Sequence, residues 1–135
     1  MPSIRKTAAR LYSDGHLWLE PSEDGYYVGL TQLALEELGE INFIELPTVG
    51  AVIHKDDVLF VLESNKASGD FVSAVDGVVA EVNQKLAKNL QPLNASPEEM
   101  GWLCKLTQVS HQQLQELMSS AQYEKAVNAE VIAKK

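Results

Sequence analysis

The chain has one cysteine, Cys104, so it cannot form an internal disulfide, and a stapled secreted scaffold is excluded. It has no apolar run of the roughly 18 residues that a membrane-crossing helix needs. Cations are scarce: 11 Lys and Arg against 19 Asp and Glu leave a net charge of −8. The basic footprint that nucleic acid or an anionic membrane surface requires is therefore missing. His16, His54 and His111 match no ligand spacing and Cys104 has no CxxC partner, which argues against a metal site. No GxSxG elbow, HExxH pair or phosphate-binding glycine loop occurs, so the chain advertises no active site of its own. Residues 1–10 lack the apolar core of a secretory signal. Arg5, Lys6 and Arg10 hint at a transit peptide, yet they run almost directly into the first strand signal. They are read as part of the mature chain, in a reducing cytosol.

What remains is ordinary globular material. With 135 residues, 45% hydrophobic and 22% charged, the chain is expected to form one domain over residues 1–135, with a core that needs no staple. Strand signals at 17–19 and 26–30 flank a turn-rich segment at 21–25. Leu30, Leu33, Ala34 and Leu38 then fall on one helical face, with Thr31 as N-cap and Gly39 as stop. Further strands are predicted over 41–46, 51–53, 58–62, 71–75, 78–82 and 101–106. Residues 83–100 form a long connection containing Pro92 and Pro97, which must be either functional or locally folded. Ser110 and Gln113 make a capping-box pattern, and Leu114, Leu117, Met118 and Ala121 recur at helical spacing. C-terminal helices are thus predicted over about 110–132, the second starting near Ala121, with fraying at Lys134 and Lys135. The fold class is mainly β with appended helices, a compact sandwich or barrel-like core.

One lysine stands apart. Lys66 lies in Glu63-Ser64-Asn65-Lys66-Ala67, at the predicted tip of the hairpin between 58–62 and 71–75. A lysine at a turn is usually a solvated charge. A covalently tethered cofactor, however, needs an amine on a rigid support, exposed to a loading enzyme, among small or polar neighbours. Ser64, Asn65, Ala67, Ser68 and Gly69 meet the last condition, and the flanking strands supply the others. Elsewhere, Lys55 sits beside two aspartates, Lys85 and Lys88 lie in the polar connection, and Lys105 is expected to point outward from the last strand. Lys6, Lys125, Lys134 and Lys135 belong to the terminal segments.

These residues resemble the lipoyl-carrying H protein of the glycine cleavage system over about residues 11–125. The family's lysine motif, E-S-V-K-A with small residues and an acid after it, is similar to Glu63 through Asp70 here. Tyr12-Ser13 with His16 and Trp18, Val28-Gly29-Leu30-Thr31, Leu38-Gly39 and Leu46-Pro47-Thr48-Val49-Gly50 follow in order. Gly77, Glu81-Val82-Asn83, Asn94, Pro97 and Gly101-Trp102-Leu103 complete the series, and Leu114 to Lys125 resembles the closing helices. The resemblance implies a hybrid barrel or flattened β-sandwich with lipoic acid in amide linkage to Lys66, in a carrier that is not itself an enzyme. It implies a lipoate ligase or lipoyl/octanoyltransferase as loading partner. Glycine decarboxylase, aminomethyltransferase and dihydrolipoamide dehydrogenase would be the working partners of a cytoplasmic monomer. Glu63 and Ser64 are expected to aid ligase recognition or contact the loaded arm, with Asn65 and Ala67 beside the anchor. An apolar groove could park the arm, each buried methylene gaining about 0.8 kcal/mol.

The chain also departs from that pattern. Asn65 stands for a valine, Leu17 for an acid between His16 and Trp18, and Cys104 for an aliphatic or aromatic residue. Trp18 and Trp102 are expected in the core, His16 in a structural hydrogen bond, and Cys104 as a small buried hydrophobe rather than a thiol near the arm. Asn65 and Cys104 keep open a second pathway, a heterodisulfide-reductase-like sulfur-oxidation system served by H-protein-like lipoate-binding proteins, and also lipoyl relay. An unmodified interaction module is the alternative of a different class. A biotin carrier expects methionines beside the lysine, which Asn65 and Ala67 are not.

Overall fold

The computed structural model describes residues 10–133, and side chains as far as Asn128. The arm at 1–9, Lys134 and Lys135 lie outside the described residues.

Two antiparallel sheets make the architecture. The first runs in the order β1 (Leu11–Tyr12), β2 (Leu17–Pro21), β3 (Tyr26–Leu30), β9 (Cys104–Thr107), β8 (Gly77–Val82), β5 (Val52–Ile53). The second is β4 (Ile41–Glu45), β6 (Val58–Ser64) and β7 (Ser68–Val72), with β6 central. Their inner faces share one apolar core that includes Leu17, Leu19, Val28, Leu30, Leu59, Phe60, Leu62, Val79 and Leu106. Period-two alternation puts Leu17 and Leu19, Val28 and Leu30, and Phe60 and Leu62 each on one face of their strands, and the register shift between Val58 and Phe60 accompanies the burial of the adjacent Leu59. Burial of each large side chain is worth about 1.5–3 kcal/mol. Two antiparallel sheets over one core agree with the expected mainly β sandwich or flattened barrel.

Strand β2 breaks the alternation, because Leu17, Trp18, Leu19 and Glu20 are all buried. Its second face is covered too. Helix α5 (Ser120–Ala133) brings Tyr123 onto Tyr12, with ring centroids 4.7 Å apart, and these join Trp18 and Trp102 in a separate aromatic cluster. Both tryptophans are therefore in packed positions. The Trp18 indole N–H donates to the carbonyls of Leu30 and Pro97 at 3.1 and 3.0 Å, and Arg10 lies over its ring at 4.2 Å. Gly29 is required here, since a Cβ at that position would overlap the Trp18 ring.

Helix α1 (Gln32–Leu38) forms as its caps dictate. Thr31 Oγ1 accepts from the Ala34 N–H, and Gly39 closes the helix at φ 87°, a region open to glycine. Leu30 belongs to β3 rather than to the helical face. The long connection is locally folded into α2 (Lys85–Lys88) and α3 (Gln91–Ala95). Gly101 packs against α3 so closely that a Cβ would lie 2.6 Å from Leu93 Cα.

The C-terminus needs a correction. The predicted helix through Leu114, Leu117, Met118 and Ala121 stops after a single turn, α4 (His111–Leu114). Met118 is extended instead. Its N–H donates to the Tyr12 carbonyl at 2.9 Å and its carbonyl accepts from the Tyr12 N–H at 2.8 Å. The bridge satisfies an edge of β1 and seats Met118 on the aromatic cluster, which outweighs local helical periodicity. A full capping box forms at Ser119 and Gln122, where each side chain accepts from the other's N–H. At Ser110 only half of one forms, because the side-chain Oε1 of Gln113 is taken by the Asp76 N–H at 2.6 Å.

Candidate functional site

Strands β6 and β7 are longer toward their shared turn than the apolar runs suggest, so the loop reduces to residues 65–67. Ser64 organises it. The Ser64 N–H donates to the Ala67 carbonyl at 2.8 Å. Its hydroxyl accepts from the Lys66 and Ala67 N–H groups at 3.2 and 3.0 Å and donates to the Leu38 carbonyl at 2.6 Å. That last bond fastens the hairpin tip to the C-terminal end of α1. The hydroxyl expected to greet a ligase or a loaded arm is thus occupied within the turn.

Lys66 projects from this support. It is exposed, and its Cδ passes 3.8 Å from where a Cβ on Gly39 would sit. Its ammonium has no ion pair or hydrogen bond among the described residues. Lys55 is engaged with Glu116 at 3.3 Å, and Lys105 with Asp24 and, at 3.7 Å, Glu81, whereas Lys85, Lys88 and Lys125 are exposed like Lys66 but lie on helices rather than at a strand turn. Lys105 is nearly buried along its stem rather than pointing freely outward, and its Asp24 partner raises its pKa. Glu63, Asn65 and Ala67 are exposed around Lys66, and no side chain larger than Asn stands in the turn. The free amine, the braced turn and the small neighbours fit a group attached through an amide.

Strand β4 frames the other side. Asn42 Nδ2 donates to Asn65 Oδ1 at 2.7 Å. Asn94 on α3 mimics a strand edge for Ile41, accepting from its N–H at 2.7 Å and donating to its carbonyl at 3.0 Å. Sequence reading singled out Asn94 only by resemblance, and Asn42 not at all. A lone polar residue in a strand gives no sign of what it faces.

The remaining candidates lie elsewhere. Cys104 is fully buried on β9, opposite Val28 and Val82, and burial pushes its thiol pKa far up. It is a core residue, away from solvent. His16 Nδ1 meets the Tyr123 hydroxyl at 2.9 Å, and that hydroxyl donates to Thr31 Oγ1 at 2.9 Å. His16 is therefore structural. A groove of about 490 Å³ opens beyond the far end of β7, between Val72, Ser73 and Ala74 on one side and Asp14, Gly15 and Glu116 on another. Its lining is mixed polar and apolar. No group of acids, histidines or cysteines with metal-holding geometry occurs among the described residues.

A braced hairpin in a two-sheet sandwich, ending in an unpaired lysine, defines a carrier domain of the kind that holds a prosthetic group on an arm. The sequence pattern of the glycine cleavage H-protein family matches residues 10–130. The chain is 37% identical over 118 residues to the glycine cleavage system H protein of Listeria welshimeri, covering 87% of this chain and 94% of that protein. It is 37% identical over 112 residues to the one from a Synechococcus species, covering 83% and 86%. The crystal structure of a glycine cleavage system H protein from Mycobacterium marinum superposes with a TM-score of 0.79 at 25% identity, over 91% of this chain and 99% of that one. The chain belongs to the glycine cleavage H-protein family. It is a carrier subunit without catalysis of its own, and its cofactor is lipoate bound covalently to a lysine.

Proposed function

We propose that Lys66 is the lysine that carries lipoate. In this reading the chain moves the aminomethyl group of glycine from a glycine decarboxylase to an aminomethyltransferase, and dihydrolipoamide dehydrogenase restores the arm. The observation that carries the proposal is the Lys66 ammonium, exposed and unpaired at the tip of a turn whose backbone is tied down by Ser64. Bound lipoate would supply a disulfide that accepts the carbon unit together with reducing equivalents. This chain's residues hold the amine at a fixed place, keep it clear of competing acids, and leave room on the loop for a loading enzyme. Residues 1–135 act as one unit, as a monomer in the cytoplasm.

Asn65 and Cys104 are the departures that keep the sulfur-oxidation pathway as the second reading; Cys104 is sealed in the core, and Asn65 is exposed and bonded to Asn42. Relatives named for glycine cleavage support the first pathway. The test is co-expression with a lipoate ligase and intact-mass measurement. Wild type gains one lipoyl group, and Lys66→Ala gains none; loading of Lys66→Ala would sink the assignment, and an unmodified wild type would support the interaction-module alternative. Glycine–bicarbonate exchange with a glycine decarboxylase then tests the pathway. Failure with several decarboxylases would favour the sulfur reading.

A further inference from the structure

The pairing of β4 with β6 is irregular at one place. Ile41 opposes Ser64 and Phe43 opposes Glu63, so two steps along β4 match one along β6, and Asn42 is the extra residue of a β-bulge. A bulge re-aims the side chain it carries. Here the re-aimed side chain reaches the hairpin tip and bonds to Asn65, the residue immediately before Lys66. Both asparagines are exposed. A solvent-exposed neutral hydrogen bond adds little to global stability, so stability is a poor reason for placing a bulge and two amides there. Its effect falls on the loop. Ser64 holds the base of the loop from the α1 side, and the amide bridge holds the next residue from the β4 side. Lys66 follows directly and inherits both restraints.

We infer that the Asn42–Asn65 bridge is a positioning device, presenting Lys66 in one orientation to the enzyme that forms the lipoyl amide. The inference rests on Lys66 being the anchor. In loading by a ligase, a lipoate carboxylate oxygen first bonds to the α-phosphorus of ATP as the bond to the β-phosphate breaks, giving lipoyl adenylate and pyrophosphate. The Lys66 amine then forms the C–N bond, the C–O bond to the phosphate breaks, AMP leaves with that electron pair, and the amine's protons pass to water. A loop already ordered spares the ligase the entropy of ordering it on docking.

The test uses purified full-length chain with a lipoate ligase, lipoic acid and ATP, followed by intact mass across acceptor concentrations. Asn42→Ala and Asn65→Ala should each lower kcat/KM for loading about 3- to 10-fold, chiefly through KM, with a melting temperature within a few degrees of wild type. The double variant should be no worse than either single one, since both remove the same contact. Asn65→Asp keeps an acceptor for Asn42 and should load within about twofold of wild type. Wild-type rates in the alanine variants, additive losses, or failure of Asn65→Asp to restore loading would each overturn the inference, the last by pointing to direct contact of Asn65 with the ligase. Lys66→Arg separates the two readings. If it is still loaded, the anchor assignment fails; if it is not loaded while the alanine variants behave normally, only the bridge fails.

Discussion

At the scale of single residues, side chains that look alike in sequence do different work. Asp76 and Asp70 are both short acids near the hairpin, but Asp76 Oδ1 accepts from the Lys55 N–H at 2.8 Å while its own N–H reaches Gln113. It ties the turn before β6 to the turn before β8, and its backbone links to α4. The Lys55 N–H, and then the Gln113 side chain, lower its pKa below the ordinary 3.8. In the unfolded chain Asp76 therefore binds its proton at higher pH than in the folded one. Its contribution is fully present above about pH 3.8 and is lost as pH falls through the depressed folded value. Asp76→Ala should melt below wild type at pH 7, with the gap closing toward pH 3; a gap constant across that range would contradict the assignment. The family motif around Lys66 was legible residue by residue. The partnership of Asn42 with Asn65 was not, because hydrogen bonds between strands distant in sequence leave no mark in either segment.

At the scale of elements, caps and turns were readable and long-range pairings were not. Thr31 and Gly39 announce α1 through chemistry confined to a few neighbouring residues. The C-terminal region shows the limit. Leu114 to Ala121 has helical periodicity, yet Met118 pairs with β1, a strand of only two residues. The break positions α5 so that Tyr123 reaches Tyr12, His16 and Thr31. The same Thr31 oxygen caps α1, whose far end receives the Ser64 hydroxyl. Tyr123→Phe keeps the stacked ring and removes the hydroxyl. It should cost about 1–2 kcal/mol in urea unfolding, the worth of a buried side-chain hydrogen bond plus the partner left unsatisfied. A loss near zero would show that the ring alone docks α5.

At the scale of the whole molecule, charge governs encounter. With lipoate on Lys66, as proposed, the net charge of −8 would become one unit more negative, because an ammonium would be converted to an amide. A partner that receives the arm is expected to dock through basic residues, and exposed charges interact over a Debye length of about 10 Å at 0.1 M salt. Raising salt from about 0.05 to about 0.5 M should raise the KM of glycine decarboxylase for the lipoylated carrier several-fold, with little change in kcat. A salt-independent KM would place the docking energy in apolar contacts instead. Among the described residues no helix is long and apolar enough to cross a membrane.

The sequence by itself determined the class of protein, the strand-rich fold and the lysine to test. Composition, local turn chemistry and an ordered motif series are properties of neighbouring residues, and they survive without a structure. The tertiary structure alone decided that the Ser64 hydroxyl braces the turn, that Cys104 is sealed in the core, and that the C-terminal helix breaks to bridge β1. It also decided that a bulge at Asn42 reaches the residue beside Lys66. Each of these depends on what a side chain or strand edge meets across the fold, and that is settled only when the sheets close on their shared core.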